Sequence, residues 1–184
     1  MSAIKDLKVG LFWGSDTGNT EEITNLFTEK WQLTELTSIE ACDMSVQDYA
    51  QYDFIFLGLP TWYDGDLQSD FEDFFDDFKT IDFTGKVVAM YGLGDQYGYA
   101  EYFVDGLGIL GKIIQGNGGK VIGFWSREGY DDDIDCIGVF NEKLFWGLAI
   151  DEDNQAELTE ERLDDWIAQV EREMKALYEP ALAS

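Results

Sequence analysis

The sequence predicts an α/β protein: a doubly wound, five-stranded parallel sheet with helices on both faces. Three observations predict this fold. Short segments that are apolar throughout recur along the chain, amphipathic helical segments alternate with them, and loops rich in glycine or hydroxyl residues follow several of the apolar segments. Strands that are apolar on both faces belong in parallel sheets, because crossover helices cover each side. In such folds ligands bind at the carboxyl ends of the strands.

The strands and helices alternate in a regular order. The predicted strands are Lys8–Trp13, the weaker edge strand Leu36–Ala41, Asp53–Leu59, Lys86–Tyr91 and Lys120–Ser126. The apolar faces of the predicted helices are Ile23, Leu26, Phe27 and Trp31; Leu67, Phe71, Phe74, Phe75 and Phe78; Phe103, Leu107, Leu110 and Ile114; and, from near Thr159, Leu163, Trp166, Ile167, Val170, Met174 and Leu177. Asp70–Asp77 supplies an acidic face opposite the second of these stripes.

Length and charge limit what the protein does. Its 184 residues suit one domain, 1–184. With 12 basic against 38 acidic residues the net charge is −26, which disfavours nucleic acids and anionic membranes as partners. Because the chain has no histidine, it has no Ser–His or Cys–His nucleophile and no histidine zinc site, so we expect no metal site and no catalytic residue. The acidity itself suits solubility, a salty environment or steering towards a basic partner.

The two cysteines and the lack of targeting segments favour the cytoplasm. Cys42 and Cys136 form no CxxC pattern and suggest reduced thiols. Met1–Trp13 lacks the pattern of a signal peptide, and no stretch approaches the length of a transmembrane helix.

The loop after the first strand, Gly14–Thr20, suits a phosphate. Ser15, Thr17 and Thr20 supply hydroxyl groups, and Gly18 permits close approach of the backbone. The loop opens a helix, whose free N–H groups and dipole favour an anion. It holds no lysine or arginine and matches neither the Walker nor the GxGxxG pattern. An ordinary helix cap is the alternative.

Two further loops carry aromatic residues near the predicted crevice. Trp62 and Tyr63 follow the third strand in the loop Pro60–Gly65, and their flat faces suit stacking on a planar ring. The glycine-rich loop Gly92–Tyr99 ends in Tyr99, which offers a second aromatic face. Packing onto the core and a flexible turn are the respective alternatives. Because all three loops converge in the predicted fold, they jointly favour a planar, phosphate-bearing cofactor.

Five ordered blocks give the chain a family resemblance. They are GSDTGNTE at 14–21, LPTWYDGDLQSDF at 59–71, GLGDQYGY at 92–99, GFWSREGY at 123–130 and GLAIDEDNQAELTEER at 147–162. With these blocks the chain resembles the long-chain flavodoxins from about Lys8 to the C-terminal helix. The resemblance implies the flavodoxin-like sheet order 2-1-3-4-5 and non-covalently bound FMN.

The resemblance also assigns residues to the cofactor. It implies that the FMN phosphate is enclosed by Ser15, Asp16, Thr17, Gly18, Asn19 and Thr20. Trp62 would cover one face of the isoalloxazine and Tyr99 the other. The ring and ribityl chain would be lined by Thr61, Tyr63, Gly65, Leu93, Gly94, Asp95 and Gln96. Asp153 would contact the ribityl side, with Asp151 as the alternative.

The long-chain class interrupts its last strand with an extra loop. Residues 127–143 fit that insertion, and Leu144–Ala149 would resume the strand. The acidic run Asp131–Asp135 and the flanking pair Phe140 and Trp146 depart from the family pattern, as does Tyr63-Asp64 after the tryptophan.

The function implied is that of an electron-transfer protein rather than an enzyme. A flavodoxin is a low-potential one-electron carrier that shuttles between the FMN semiquinone and hydroquinone. Its implied partners are basic redox proteins: an NADPH-dependent flavodoxin reductase or an oxidoreductase complex, and an electron acceptor. We expect a monomer.

Two alternatives use the same topology. An FMN-dependent NAD(P)H oxidoreductase needs an open site above the flavin, whereas Trp62 and Tyr99 would close both faces. A cofactor-free signalling receiver needs an aspartate at a strand end and a paired lysine, whereas Asp53 and Lys86 open their strands.

Overall fold

A central sheet with helices on both sides organises the structure. A computed structural model of the protein describes residues 4–179, so both ends of the predicted 1–184 domain, including Met1–Ala3, lie outside the described residues. The strands are β1 Val9–Trp13, β2 Thr37–Glu40, β3 Phe54–Trp62, β4 Asp66–Leu67, β5 Val87–Leu93, β6 Lys120–Ile122, β7 Trp125–Ser126, β8 Val139–Asn141, β9 Leu144–Phe145 and β10 Leu148–Ile150. The helices are α1 Asn19–Lys30, α2 Val46–Ala50, α3 Ser69–Asp73, α4 Phe75–Phe78, α5 Asp105–Gly116 and α6 Thr159–Tyr178.

The main sheet runs in the order β2-β1-β3-β5-β10, and neighbours along this path pair in parallel. The last position holds two short strands. β6 pairs with Val87–Ala89 of β5, and β10 pairs with Tyr91–Leu93 of the same strand. The predicted order 2-1-3-4-5 is therefore confirmed, with the fifth strand present as two pieces.

Two hydrophobic cores lie on opposite faces of this sheet. Along β3, Phe54 and Phe56 face a core shared with α1 and α6, while Ile55 and Leu57 face a core shared with α5. Alternate side chains of one strand thus enter different cores, which is why the strand is apolar throughout. Trp166 of α6 is fully buried in the first core. The doubly wound architecture follows from this two-sided burial.

Several predicted boundaries were wrong for local reasons. β3 continues through Pro60 to Trp62, because residues 54–60 stay in register with β5 and β4 then pairs antiparallel with the strand end. The predicted stripe from Leu67 to Phe78 divides into β4, α3 and α4, with a break at Phe74.

Two further elements differ from the prediction. The predicted strand Lys120–Ser126 breaks at Gly123, which has φ 73° and accepts a hydrogen bond of 2.8 Å from the Trp166 indole. α5 begins at Asp105, so Phe103 precedes the helix instead of lying within it. No proline in the sequence marks either of these two boundaries.

Residues 123–147 connect β6 to β10 and contain the segment 127–143 that was predicted as the insertion; the whole connection is called the insertion below. Within it, β7, β9 and β8 make a small antiparallel sheet. The predicted resumption at Leu144 was wrong: Leu144–Phe145 pairs with β7, and the main sheet resumes only at Leu148. The insertion therefore has its own hydrogen-bonded framework.

Two glycines of α5 seat the insertion. A β-carbon at Gly108 would collide with the Ile137 carbonyl, and one at Gly111 would collide with the Trp146 ring. Trp146 in turn packs with Phe124 and Phe140 of the insertion, with ring centroids 5.9 and 4.9 Å away. Because these two positions have no side chain, the inserted chain can pack directly against the helix backbone.

Replacing these glycines by alanine tests this packing. Although alanine favours helices by about 0.5–1 kcal/mol over glycine, Gly111→Ala should destabilise the protein by about 1–3 kcal/mol through overpacking against Trp146. Gly116→Ala is the matched control, because nothing lies within 4 Å of its added methyl group, and it should be slightly stabilising. Urea unfolding of both variants measures the difference. Equal effects at the two positions would contradict the close contact.

Among residues 4–179, no helix combines the length and the apolar character that crossing a bilayer requires.

Candidate functional site

One cleft opens at the carboxyl edge of the main sheet, where β1, β3, β5 and β10 end. It is lined by Asp16, Thr17, Asn19, Thr20, Pro60, Thr61, Trp62, Tyr63, Leu93, Gly94, Asp95, Tyr99, Tyr102, Phe103, Glu152 and Asp153. The lining comes from the last residues of β3 and β5, the first turn of α1 and the loops that follow these four strands. The predicted convergence of loops at this edge is present in the structure.

The loop after β1 is braced from below by Gln68 and Ser69. The Asp16 carboxylate accepts hydrogen bonds from the Ser69 hydroxyl at 2.6 Å and from the fully buried Gln68 amide at 3.0 Å. Gly18 has φ 99°, a left-handed conformation that glycine adopts without strain, and α1 begins at the next residue. Because the loop is held at Asp16, it presents the first turn of α1 to the cleft.

The turn after β3 places an indole at the cleft with one unused donor. Gly65 N–H donates to the Trp62 carbonyl at 3.1 Å and closes the turn. Trp62 Nε1 is buried and has no hydrogen-bond partner in the described part of the chain. An unpaired buried donor costs about 1–3 kcal/mol, so this N–H suits an acceptor on a ligand.

Tyr63 in the same turn is strained and exposed. Its φ is 43°, which costs a non-glycine residue about 1–2 kcal/mol, and 68% of its surface is accessible. Strain of this kind concentrates in segments whose conformation serves a ligand.

The loop after β5 is held by hydrogen bonds to Asp95. Its carboxylate accepts from the N–H groups of Tyr97 and Gly98 and from the Asn154 side chain, at 2.8–3.1 Å. Burial alone would raise the pKa of Asp95, but these donors outweigh it and lower the pKa below its usual value. Tyr99 follows on the rim with 43% of its surface exposed. The ring that would cover a second face of a ligand is therefore present and accessible.

The structure separates the roles of Asp151 and Asp153. Asp151 is fully buried, and its carboxylate accepts from the Gln96 side chain at 2.7 Å and from Asn154 N–H at 3.0 Å. Asp153 instead lines the cleft. Burial raises the pKa of Asp153, and the neighbouring carboxylates Asp95 and Asp151 raise it further. Asp151 thus connects the loops through its hydrogen bonds, whereas Asp153 lines the cleft.

Four of the predicted cofactor residues do not line the cleft. They are Ser15, Gly18, Gly65 and Gln96. The Ser15 hydroxyl accepts from Gly18 N–H at 3.0 Å, and the buried Gln96 amide bridges Asp151 to Asp131 N–H of the insertion. The side chains of Ser15 and Gln96 therefore hold the loops in shape and do not line the cleft.

Four lining residues were not predicted: Pro60, Tyr102, Phe103 and Glu152. Pro60 and Glu152 adjoin predicted residues, so their positions carried a signal. No sequence feature marked Tyr102 and Phe103 as lining residues, because Phe103 was assigned to the buried face of the predicted helix.

The cleft carries negative charge only. The segments 14–20, 60–67, 93–103 and 151–157 contain nine aspartate and glutamate residues and no lysine or arginine. Within residues 4–179 no group of acidic or cysteine side chains is arranged to hold a metal ion. Any phosphate bound here would be held by neutral N–H and O–H donors.

The fold and the cleft define a class of protein: a doubly wound α/β protein that holds a flat, phosphate-bearing ligand at the carboxyl edge of its sheet. The flavodoxin family model matches residues 11–166, and the chain belongs to this family. The resemblance noted in the sequence is confirmed at that level.

Relatives and solved structures agree with this assignment. The chain is 48% identical over 166 residues to a flavodoxin of Synechocystis sp., an alignment that covers 89% of this chain and 95% of that protein. It is 43% identical over 165 residues to flavodoxin 1 of Escherichia coli, covering 90% and 93%. The crystal structure of Fusobacterium nucleatum flavodoxin bound to flavin mononucleotide superposes with a TM-score of 0.83 at 32% identity, covering 90% of this chain and 97% of that one.

Amide substitutions at Asp151 and Asp153 test their separate roles in the cofactor-free protein. Asp151→Asn leaves buried donors unpaired and should destabilise the fold by about 1–3 kcal/mol at pH 7. Asp153→Asn should raise the melting temperature at pH 7. Because folding raises the pKa of Asp153, the stability linked to this group is present below its unfolded pKa and is lost as the pH rises through its folded pKa.

Calorimetry of both variants at pH 7 and at about pH 3 checks these expectations. The gain from Asp153→Asn should disappear at the lower pH, where the wild-type carboxyl is protonated in both states. A gain that is the same at both pH values would show that charge at Asp153 is not its cause.

Proposed function

We propose that this chain is a low-potential one-electron carrier that works with non-covalently bound FMN and is not an enzyme. The observation that carries the proposal is the cleft itself. It combines the first turn of α1, which suits a phosphate, with Trp62 and Tyr99, whose rings suit the two faces of a flavin. The flavodoxins to which the chain is similar, one of them solved with flavin mononucleotide, support the same assignment.

The residues of the cleft fit this cofactor. The unpaired Trp62 Nε1 offers a donor to a phosphate or ring oxygen, and Thr17, Asn19 and Thr20 line the same cleft. Gly94 brings the backbone close to Phe103, where an added β-carbon would lie 2.9 Å from the Phe103 ring and leave no room for a side chain. The resemblance assigns this stretch to the ring and ribityl chain.

Bound FMN supplies the redox chemistry, because it accepts and releases electrons one at a time. The protein would hold the phosphate with neutral donors, cover the ring with Trp62 and Tyr99, and limit the access of water to it. A backbone carbonyl of the Trp62–Gly65 turn can accept a hydrogen bond from a protonated ring nitrogen. Gly65, with φ 96°, gives the neighbouring peptide the freedom to rotate for that purpose.

The charge of the cleft sets the direction of the redox tuning. Asp16, Asp95, Glu152 and Asp153 line it, and no lysine or arginine lies in its loops. Added negative charge on a ligand is therefore disfavoured: at 4 Å two like charges repel by about 4 kcal/mol at an effective dielectric constant of 20. The last electron accepted should be released readily. An FMN-dependent NAD(P)H oxidoreductase, which needs an open ring face, is not favoured by this geometry.

Stepwise reduction tests the proposal. The purified protein should be yellow, release FMN on denaturation, and titrate against redox dyes in two resolved one-electron steps, of which the second has the lower potential. Trp62→Ala should weaken FMN binding by about 1–3 kcal/mol, since stacking and the indole donor are both lost. Steady NAD(P)H oxidation without a reductase, or a single two-electron wave, would contradict the carrier function.

A groove next to the cleft is our proposed docking surface for a basic redox partner. The partner would be an NADPH-dependent reductase or an oxidoreductase complex. It is lined by Asp16, Thr17, Trp62, Tyr63, Asp66, Leu67, Ser69, Glu72 and Asp73. Four of these nine side chains are carboxylates, and none is basic. The run of residues 31–78 likewise contains no lysine or arginine. Charge complementarity therefore directs a cationic surface to the edge of the cofactor cleft.

Charge reversal on the groove tests this docking surface. Glu72→Lys with Asp73→Lys should slow reduction by an NADPH-dependent flavodoxin reductase about tenfold at low salt, and the difference should shrink as salt screens the charges. Glu29→Lys with Glu35→Lys changes the net charge equally, but Glu29 lies in the last turn of α1 and Glu35 lies between α1 and β2, at the end of the sheet opposite the cleft. Stopped-flow rates that fall equally in both double variants would show that only net charge matters.

Three finer assignments complete the proposal. The insertion at residues 123–147, which divides the last strand position between β6 and β10, supports membership of the long-chain subclass. Cys42 and Cys136 are free thiols, which supports a cytoplasmic location. We expect a monomeric carrier of one domain that meets its partners transiently.

A further inference from the structure

Two strained residues lie in segments that meet at one buried carboxylate, that of Asp105: Val104 directly precedes it, and Tyr63 lies in the turn whose Gly65 is close to it. Among residues 4–179, only Tyr63 and Val104 are non-glycine residues with positive φ, at 43° and 52°. Valine is β-branched, and positive φ is a pronounced outlier for such a residue. Val104 is fully buried and directly precedes Asp105, the first residue of α5. Strain at both places indicates that the surrounding contacts hold them.

The Asp105 carboxylate receives its hydrogen bonds from the insertion. It is 2% exposed, and its Oδ1 accepts from Gly138 N–H at 3.1 Å. Burial raises the pKa of Asp105, while Gly138 N–H and the neighbouring Ile137 N–H and Cys136 thiol act in the opposite direction. The Cys136 thiol itself donates to the Phe103 carbonyl at 2.7 Å. None of the ion pairs between described residues includes Asp105. Segment 136–138 therefore supplies the Gly138 N–H that hydrogen-bonds this carboxylate.

The other side of the same carboxylate touches the turn beside the cleft. An added β-carbon at Gly65 would lie 2.9 Å from Asp105 Oδ2, so the carboxylate occupies the space that a side chain at position 65 would need. The next residue, Gly106, donates its N–H to Thr61 Oγ1 at 3.0 Å. The first turn of α5 thus holds the end of β3 and the Trp62–Gly65 turn together.

We propose that Asp105 is a positioning residue that couples the insertion to the Trp62–Gly65 turn and thereby helps to set the redox potential of the bound cofactor. The inference rests on the proposed function, because the turn matters for a potential only when FMN is bound. With segment 136–138 in place, the Asp105 carboxylate has a hydrogen-bond donor and keeps its position next to Gly65. When that segment moves away, a buried carboxylate loses the Gly138 N–H donor, and the turn that contains the strained Tyr63 loses a fixed contact at Gly65.

A second contact allows the coupling to be perturbed without a change of charge. A β-carbon at Gly138 would lie 2.6 Å from the Val104 carbonyl oxygen and 2.7 Å from the Phe103 carbonyl oxygen. Gly138→Ala should therefore push segment 136–138 away from α5 and lengthen its hydrogen bond to Asp105. Asp105→Asn removes the charge while nearly preserving the shape. Asp132→Asn removes one charge from an exposed position of the insertion and serves as the control.

The first measurement uses the cofactor-free proteins. Amide hydrogen exchange at residues 63–65 should be faster in Asp105→Asn and in Gly138→Ala than in the wild type, and unchanged in Asp132→Asn. This measurement does not depend on FMN, so it tests the coupling even if the proposed function is wrong. Unchanged exchange at residues 63–65 in Gly138→Ala, together with faster exchange within the insertion, would overturn the coupling.

The second measurement is the potential of the first one-electron step in the FMN-loaded proteins. Loosening the turn weakens its hydrogen bond to the reduced ring, so Gly138→Ala should shift the equilibrium constant of this step about tenfold towards the oxidised form, which is 59 mV for one electron. A general loss of stability would not move this potential. A shift in Asp105→Asn but not in Gly138→Ala would show that charge alone is responsible and would overturn the positioning role.

Discussion

The parallel pairing of β3 with β5 is the constraint on which the rest of the structure depends. Residues 54–60 pair in unbroken register with residues 87–93, and both strands are buried on both faces. This register brings Trp62 and Gly94 to the same edge of the sheet, because parallel strands end on the same side. A shift by one residue would exchange the two cores and move the aromatic turn away from the cleft. Core packing therefore determines where the loops of the site lie, independently of the polar residues within them.

The same register determines where the insertion can lie. The first half of β5 pairs with β6 and the second half with β10, so the chain leaves the sheet at Ile122 and returns at Leu148. Between these points the inserted chain packs on α5, the helix that covers one face of the sheet here. The contacts at Gly108 and Gly111 make this possible, and they bring segment 136–138 to the first turn of the helix. The insertion is thus an extension of the core as well as an addition to the surface.

The sequence was sufficient for the sheet because burial on both faces leaves a strong pattern. Asp53–Leu59 and Lys86–Tyr91 are recognisable without any neighbour, and their order along the chain limits the topology. The breaks at Phe74 and Gly123 were not predictable in the same way, because they depend on tertiary contacts such as the bond from Trp166 to the Gly123 carbonyl. The antiparallel pairing of Leu144–Phe145 with β7 is equally non-local. Local patterns cannot distinguish an apolar pair that resumes one sheet from a pair that joins another.

The cleft shows a related limit for site residues. A motif identifies which loops surround a ligand, but it does not say which side chains of a loop point forward. Ser15 and Gln96 belong to the predicted loops, yet they do not line the cleft: Ser15 Oγ accepts from Gly18 N–H, and the Gln96 amide donates to Asp151. The braces are as necessary as the lining, because a loop without basic residues has to hold its neutral donors in fixed positions to bind a phosphate. A lysine would tolerate a looser loop, but its charge would also favour electrons on the cofactor. An acidic, cation-free cleft that is rigidly braced from behind binds an anionic cofactor and still disfavours its most reduced form, which is the combination that a strong one-electron reductant requires.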